Sequence, residues 1–369
     1  MMANPDVVIR PTSVDEVVAV VRDHDRIHVV GSATKSALAS PRCDAVRCEM
    51  TRLSGVVDHQ PSEFLITALA GTRISELQKS LDQHGQYFPF DPPLVDAGAT
   101  IGGTLAAGLS GPGRLRYGGV RDFVMGLRMV DGTASLITAG GRVVKNAAGY
   151  DIPKLMVGSC GYLGPIVELT LKVFPRPPRS SSLRIRTDDF ASAVKLQATL
   201  SRSPIELTGL DLLPDGTLLV CLSGEEAAVA TSSDRIASIV AQASQSANVE
   251  ACGDDDSMWR PLLDASWLGE GDRLVRVPVA PGKLIELDSS LAEMTVPRRY
   301  SVAGNLAWIR WPASRPLAQL DEALRFHSLG GSVLLGQASQ NRLGIRGDAS
   351  MIRRIKHALD PNDKFVGFP

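Results

Sequence analysis

The sequence lacks several features that would place it in a common functional class. Its 369 residues hold 39 lysines and arginines against 40 aspartates and glutamates, a net charge of -1. That balance provides no general attraction to nucleic acid or acidic lipid. No apolar run approaches the roughly 18 residues of a membrane-spanning helix. The first residues also lack the basic and then apolar pattern of a secretory leader, so we expect a cytoplasmic protein.

Cysteine is scarce, and its spacing does not suit metal or disulfide chemistry. An odd number without a C-x-x-C pair argues against a disulfide framework and against a protein-bound iron–sulfur cluster. We therefore expect no metal site in this chain, and any iron–sulfur chemistry would come from a partner. The five cysteines are Cys43, Cys48, Cys160, Cys221 and Cys252.

The order of predicted elements differs between the two halves of the chain. Ser13 followed by Glu16 is a capping box at the start of a helix. The proline-rich run 175–178 cannot continue a sheet and marks a domain boundary. Hydrophobic periodicity predicts strands at Ile27–Val30, Leu65–Leu69, 127–130 and 166–174, and a helix over 73–84. Beyond the boundary it predicts strands at 183–186, 207–213, 217–222, 274–279, 307–311 and 333–335, and helices at 190–201 and 225–244.

Glycine is enriched and concentrated in one stretch. Residues 98–119 hold eight glycines, where average usage predicts about two. All side chains in 98–111 are uncharged and most are small, so backbone N–H groups there could reach a phosphate or a flat ring. The loop 31–36 after a buried strand offers the same geometry with added hydroxyls. Two such loops could clasp the two phosphates of a dinucleotide; the alternative is tight turns in a compact domain.

Two familiar nucleotide-binding motifs are excluded by spacing. A P-loop requires glycine immediately before the lysine, and Lys35-Ser36 follows threonine instead. A Rossmann fingerprint requires a third glycine, and Gly111-Pro112-Gly113 is followed by Arg-Leu-Arg. A dinucleotide site in this chain would therefore use a different fold.

Several motifs carry a resemblance to a known family. The chain is similar, over about residues 5–178, to the FAD-binding small subunit of glycolate oxidase, within the vanillyl-alcohol oxidase / p-cresol methylhydroxylase (PCMH) flavoprotein superfamily. The motifs are Asp-Pro-Pro at 91–93, Ala-Thr-Ile-Gly-Gly at 99–103, Ser-Gly-Pro at 110–112, Arg-Tyr-Gly at 116–118, Lys-Asn-Ala-Ala-Gly-Tyr-Asp at 145–151, Gly-Ser-Cys-Gly-Tyr-Leu-Gly-Pro-Ile at 158–166 and the closing Asp-Pro at 360–361.

The resemblance implies an α+β protein: a two-subdomain PCMH-type FAD-binding fold over 1–178, a smaller ferredoxin-like antiparallel α+β cap over 179–350, and a segment over 351–369 that returns to the FAD domain. It also implies FAD held by three segments, around 31–35, 100–107 and 158–166. The residues expected to contact FAD are Gly31, Ser32, Ala33, Thr34, Lys35, Pro92, Thr100, Gly102, Gly103, Thr104, Ala106, Ala107, Gly111, Tyr117, Gly118, Arg121, Gly158, Gly161 and Ile166.

The first loop departs from the family pattern in two ways. Ala33 stands where the family has glycine, and it adopts positive φ less readily, which predicts weaker FAD binding. The loop 31–36 contains no histidine, so we expect non-covalent FAD; His28 on the preceding strand is expected to be a packed or surface residue.

Several charged and aromatic residues could have either a structural or a functional role. Arg114 and Arg116 are expected in salt bridges rather than at the flavin, whereas for Arg121 with Asp122 both readings stay open. Lys145, Asn146, Tyr150 and Asp151 are expected either to lock the flavin site or to take part in catalysis. The four tryptophans are expected in the core or at an interface, and they are Trp259, Trp267, Trp308 and Trp311.

We do not expect the second half to form a hydroxy-acid site of its own. Related dehydrogenases carry an H-x-G-D-G-N type motif beside the flavin, but His327 and His357 are the only histidines here and neither has a Gly-Asp setting. The sequence therefore favours a subunit that works with a catalytic flavin subunit and an iron–sulfur subunit, with any membrane association made through those partners. A stand-alone FAD-linked dehydrogenase and a non-catalytic FAD-binding scaffold are the alternatives.

Overall fold

The computed structural model describes residues 7–38, 44–141, 150–253 and 256–366. The chain divides into two compact units. The first comprises Met1–Ser110, Gly119–Arg176 and Gly347–Pro369, and the second comprises Gly111–Gly118 and Pro177–Arg346. The structure is a mixed helix-and-sheet protein, as the resemblance implied.

The strands in chain order are β1 Val8–Ile9, β2 Ile27–Val30, β3 Val46–Glu49, β4 Val56–Gln60, β5 Leu65–Leu69, β6 Gln86–Tyr87, β7 Val124–Val130, β8 Leu136–Gly140, β9 Ile166–Lys172, β10 Phe174–Pro175, β11 Arg179–Arg186, β12 Gly209–Leu212, β13 Thr217–Gly224, β14 Asn248–Gly253, β15 Arg273–Pro278, β16 Arg298–Ser301, β17 Leu306–Trp311, β18 Gly330–Leu335 and β19 Arg342–Gly344.

The helices are α1 Val14–Asp23, α2 Ile74–Asp82, α3 Ile101–Ala107, α4 Arg114–Tyr117, α5 Val120–Phe123, α6 Ile152–Leu155, α7 Phe190–Arg202, α8 Glu226–Ala243, α9 Arg260–Asp264, α10 Leu284–Glu293, α11 Leu317–Phe326 and α12 Ser350–Leu359. Each strand and helix predicted from periodicity is present, with ends that differ by a few residues.

The first unit contains a parallel sheet and an antiparallel sheet. Strands β1, β3 and β2 pair in parallel, and the five-stranded sheet has the order β4-β5-β9-β7-β8 with antiparallel pairs. Helix α1 begins at the predicted cap, where Ser13 Oγ accepts the Glu16 N–H at 3.2 Å. Its Val17 and Val21 are fully buried against Ile27 of β2, which fixes the strand that leads into the first glycine loop.

The carboxyl-terminal segment is anchored in the first unit by a buried ion pair. Lys356 on α12 pairs with Asp360, and its Nζ donates to the carbonyls of Tyr162 and Phe365, each at 2.7 Å. Asp360 in turn accepts the N–H groups of Lys364 and Phe365. Phe365 then pairs with Ile27 as a parallel bridge beside β2.

The second unit contains one antiparallel sheet of nine strands in the order β14-β11-β13-β12-β16-β17-β15-β18-β19. The predicted hairpin is formed by β12 and β13, and Leu212 of β12 pairs with Tyr300 of β16 to join the two halves of the sheet. Trp308 and Trp311 are buried, and Trp259 donates its indole N–H to Ser182 Oγ, which agrees with the expected core role; Trp267 is half-buried.

Two details correct the sequence analysis. Pairing continues through the start of the proline-rich run, because Pro175 lies in the short strand β10 opposite Gln86. Residues 111–118 group with the second unit rather than the first. The reason is a set of long-range contacts within the second unit. Arg116 forms an ion pair with Glu206 and donates to the Ser223 carbonyl at 3.1 Å.

Candidate functional site

An open cavity lies in the first unit. Three segments supply most of its lining: the loop after β2, helix α3 and the loop before β9. Nearly every lining side chain is small or apolar. The lining residues are Val29, Val30, Gly31, Ser32, Ala33, Thr34, Lys35, Leu38, Met50, Ala70, Thr100, Gly102, Gly103, Ala106, Ala107, Cys160, Gly161, Gly164 and Ile166.

The first loop supplies the largest part of this lining. Within the described structure, the N–H groups of Ser32, Ala33 and Thr34 have no protein acceptor. Ala33 adopts φ of 55°, in the left-handed region, at the position where the family has glycine. Successive N–H groups around a left-handed residue form an anion-binding concavity, so this loop suits a phosphate.

The second segment is a helix and not the loop that its glycines suggested. Its first N–H groups are already used by the protein: Ile101 donates to Thr72, Gly102 to Ala70, and Gly103 to Thr100 Oγ1. These three N–H groups therefore already have acceptors, and the expectation that N–H groups of 98–111 reach a phosphate or a flat ring stays a prediction for the others. Glycine is needed at 102 for packing instead, because a Cβ there would lie 2.7 Å from Ala70 Cβ and 2.8 Å from its carbonyl oxygen.

The third segment is held against this helix by backbone hydrogen bonds. Gly158 donates to Leu105 and Cys160 donates to Ala106, at 3.2 and 2.9 Å. Cys160 also adopts a left-handed conformation, with φ of 49°. The hydroxyl oxygen of neighbouring Ser159 is buried without a hydrogen-bond partner in the described structure. This hydroxyl could therefore form a hydrogen bond with a ligand.

Lys35 is the one cation among the cavity's described lining residues. It is 6% exposed, and its Nζ lies 3.4 Å from Thr104 Oγ1. Burial lowers the pKa of its ammonium to about 8, with a small opposing effect from nearby Cys160. An anionic ligand in this cavity would relieve that cost.

The cavity brings together most of the predicted contact residues, but not all. Seven of those predicted do not line it. Thr104 contacts the lining residue Lys35 but does not line the cavity itself. Pro92 is buried away from the cavity and Arg121 is exposed. Gly158 precedes the part of its loop that lines the cavity. Gly111, Tyr117 and Gly118 belong to the second unit. Sequence reasoning missed five apolar lining residues, which show no motif: Val29, Val30, Leu38, Met50 and Ala70.

Most of the remaining charged candidates form contacts within the protein and do not line the cavity. Arg116 forms the expected salt bridge, and Arg114 is exposed. Asp122 accepts the Gly119 N–H at 2.8 Å at the start of α5. Asp151 pairs with Lys154 and Tyr150 is exposed, whereas Lys145 and Asn146 lie outside the described residues. His28 is buried on β2 and does not line the cavity.

Comparison with known proteins identifies the domain that contains this cavity. Residues 5–151 match the family model of the FAD binding domain. The chain carries an FAD-binding domain over these residues. FAD is its cofactor, and the small lining residues, the open N–H groups of the first loop and the buried cation all fit a dinucleotide.

By name, the relatives of the chain are oxidase subunits and dehydrogenases that act on hydroxy acids. It is 38% identical to glycolate oxidase subunit GlcE of Escherichia coli (strain K12), over 58% of this chain and 61% of that protein. It is 30% identical to a D-lactate dehydrogenase of Anaerostipes hadrus over 52% of this chain and 41% of that protein. It is 27% identical to glycolate oxidase subunit GlcD of Bacillus subtilis (strain 168), over 58% and 47% respectively. The matches thus span about three-fifths or less of these relatives.

A solved structure supports the fold over nearly the whole chain. Alkyldihydroxyacetonephosphate synthase matches with a TM-score of 0.72 and 18% identity, covering 97% of this chain and 76% of that one. At that identity the likeness concerns the fold alone.

Metal and membrane features are not found in the described residues. They contain no group of three or more His, Cys, Asp or Glu side chains that could hold a metal ion. No described helix has the length and apolar character needed to cross a bilayer. The four described cysteines are free thiols, as expected, and Cys43 lies outside the described residues.

Proposed function

We propose that this chain is the FAD-binding subunit of a glycolate oxidase, a 2-hydroxy acid dehydrogenase that converts glycolate to glyoxylate. It would act with a separate catalytic flavin subunit and an iron–sulfur subunit. The observation that carries the proposal is the 38% identity to GlcE over 218 residues, in a chain whose FAD-binding domain has a cavity lined by small residues. FAD supplies two-electron redox chemistry when bound, and this chain's residues hold and orient it.

The surroundings of the two carboxyl-terminal histidines support a division of labour between subunits. The ring of His327 shares a 2.8 Å hydrogen bond with Ser290, and its carbonyl accepts Lys283 Nζ at 2.7 Å. His357 is exposed on α12. Neither histidine lines the cavity, so neither is placed there as a base for a bound hydroxy acid.

The bleaching of bound flavin by substrate tests this proposal. We expect the purified chain, loaded with FAD, to bleach slowly or not at all with glycolate or D-lactate under anaerobic conditions. Addition of the catalytic flavin subunit should allow rapid reduction, and a cysteine-rich partner should co-purify with the complex. Rapid bleaching of the isolated chain would instead favour a stand-alone dehydrogenase, the alternative suggested by its likeness to D-lactate dehydrogenase. Stable FAD binding with no reduction in any complex would favour a scaffold.

Acid precipitation tests the mode of FAD attachment. The cavity contains no histidine among its described lining residues, so we propose that FAD is bound non-covalently. Precipitation of the loaded protein with trichloroacetic acid should leave the yellow colour in the supernatant. A yellow pellet would contradict non-covalent binding.

A further inference from the structure

Lys35 is a buried cation that the protein leaves almost unpaired. Its side chain lines the FAD cavity and is 6% exposed. Its Nζ donates one long hydrogen bond, 3.4 Å to Thr104 Oγ1. No carboxylate is present among the described lining residues of the cavity. A desolvated ammonium without an anion is unfavourable, so the site is incomplete without a negatively charged ligand.

Among the described lining residues of the cavity, Lys35 has one titratable neighbour; Tyr162 and His28 lie on the same segments but do not line the cavity. Cys160, on the loop before β9, is close enough to interact electrostatically with the ammonium. The first loop, α3, Met50, Ala70 and the rest of the third segment contribute only uncharged lining residues. Changes in protonation within this cavity therefore concern Lys35 and Cys160.

The anion that fits beside Lys35 is the diphosphate of the dinucleotide. The three N–H groups of Ser32, Ala33 and Thr34, which have no acceptor in the described structure, directly precede Lys35. Such a row of donors recognises phosphate oxygens. In FAD the negative charge at neutral pH lies on the diphosphate, because the oxidised ring system is uncharged.

We propose that Lys35 is the counter-charge of the FAD diphosphate, and that its amine takes up a proton from solvent when FAD binds at alkaline pH. The proposal rests on the proposed function only in that FAD must occupy this cavity. No other residue of the described lining can supply a fixed positive charge there.

The sign of the pH dependence follows from thermodynamic linkage. In the empty cavity the pKa of Lys35 is about 8, and an adjacent diphosphate raises it. Between these two pKa values the empty protein holds a neutral amine and the FAD complex holds an ammonium. Binding therefore consumes a proton, and the dissociation constant for FAD should rise by up to about tenfold per pH unit above pH 8.

Isothermal titration calorimetry of the full chain, stripped of flavin, tests the proposal. FAD is titrated in two buffers of different ionisation enthalpy, which gives the number of protons exchanged. We expect uptake of roughly 0.9 proton at pH 9 and roughly 0.1 at pH 7, from an empty-state pKa near 8. Lys35→Met should abolish the uptake and flatten the pH profile of the dissociation constant. It should also weaken binding at pH 7 by about tenfold or more.

Three further variants serve as controls. Lys35→Arg keeps a fixed charge, so it should retain affinity at pH 9 without proton uptake. Cys160→Ser removes the other titratable group and should leave the uptake unchanged. Lys79→Met removes an exposed lysine on α2 and should behave as the parent protein does. Circular dichroism of each flavin-free variant establishes that it is folded.

Each result decides one claim. FAD binding by the parent protein without proton uptake at pH 9, or loss of the uptake in Cys160→Ser, would overturn the role of Lys35 and leave the FAD site intact. If Lys35→Met does not fold, the parent protein and Cys160→Ser still decide the matter. Failure of the parent protein to bind FAD would overturn the proposed function itself.

Discussion

Among the described lysines of the first unit, two are buried, and their surroundings are opposite. Lys356 is 9% exposed and has an aspartate and two backbone carbonyls as partners. Lys35 is 6% exposed and has one long contact to a threonine hydroxyl. The first arrangement completes itself and ties the carboxyl-terminal segment to the loop that contains Tyr162. Lys35, by contrast, would gain an anionic partner only from a ligand. A buried lysine in this unit can therefore stabilise the fold or mark a binding site.

Removal of Lys356 should have the largest effect on stability. Lys356→Met leaves Asp360 buried without its cation, which should lower the free energy of unfolding by about 3–5 kcal/mol. Chemical denaturation of the flavin-free chain measures this, with Lys79→Met, which removes an exposed lysine of α2, as the matched control. A loss below about 1 kcal/mol would show that the pair does not anchor the segment.

Removal of Lys35 should have the opposite effect on the flavin-free protein. At pH 7 the folded chain carries a charged amine at a site that disfavours it, so Lys35→Met should be more stable than the parent by up to ~3 kcal/mol. A lowered folded-state pKa means that the unfolded chain binds more protons between pH 8 and about 10.5. Stability of the parent should therefore rise through that range, and the difference from Lys35→Met should shrink. Denaturation at pH 7, 9 and 10 measures it; a destabilised variant at pH 7 would contradict the comparison.

Two neighbouring glycines of α3, Gly102 and Gly103, differ in how much space surrounds them. Gly102→Ala places a Cβ against the fixed Ala70 backbone, which should cost about 1–3 kcal/mol despite alanine's better helix propensity. Gly103→Ala meets only the Thr100 hydroxyl, 2.9 Å from the added Cβ, and a shift of that hydroxyl weakens one capping hydrogen bond while alanine improves the helix propensity. Its effect should stay within about 1 kcal/mol. Equal losses in the two variants, measured by thermal unfolding, would refute a packing role specific to Gly102.

Substitution of Ala33 should have the smallest effect on stability. Its left-handed φ of 55° costs about 1 kcal/mol relative to glycine, so Ala33→Gly should stabilise the folded loop by about that amount and increase the flavin retained through purification. The ratio of absorbance at 450 nm to that at 280 nm reports retention. Ala37→Gly serves as the control, because Ala37 is buried and does not adopt positive φ. Unchanged retention in Ala33→Gly would mean that this strain is unrelated to FAD binding.

Much of the fold could be predicted from local sequence. The capping box at Ser13 starts α1 as expected, and the alternating residues of 166–174 form β9, because both signals depend on neighbours along the chain. The FAD domain was predicted from motifs, of which Gly31–Lys35 and Gly102–Ala107 do meet at one cavity.

The rest depended on tertiary contacts that periodicity does not record. Glycines 102 and 103 suggested an open loop, but Thr100 caps a helix there and the backbone of Ala70 requires the small residue. Residues 111–118 looked continuous with the glycine stretch, yet Arg116 finds its partner at Glu206, ninety residues away. Lys35 gave no sign in the sequence of being buried, since its isolation results from three separate segments closing around it.

The central claim is that the first unit holds FAD in the cavity between the first loop, α3 and the loop before β9. Titration of the flavin-free full chain with FAD, followed by quenching of flavin fluorescence, tests it most directly. The account predicts saturation at one FAD per chain, with weaker binding in Lys35→Met and little change in Lys79→Met. A chain that is folded by circular dichroism but neither retains nor takes up FAD would contradict it.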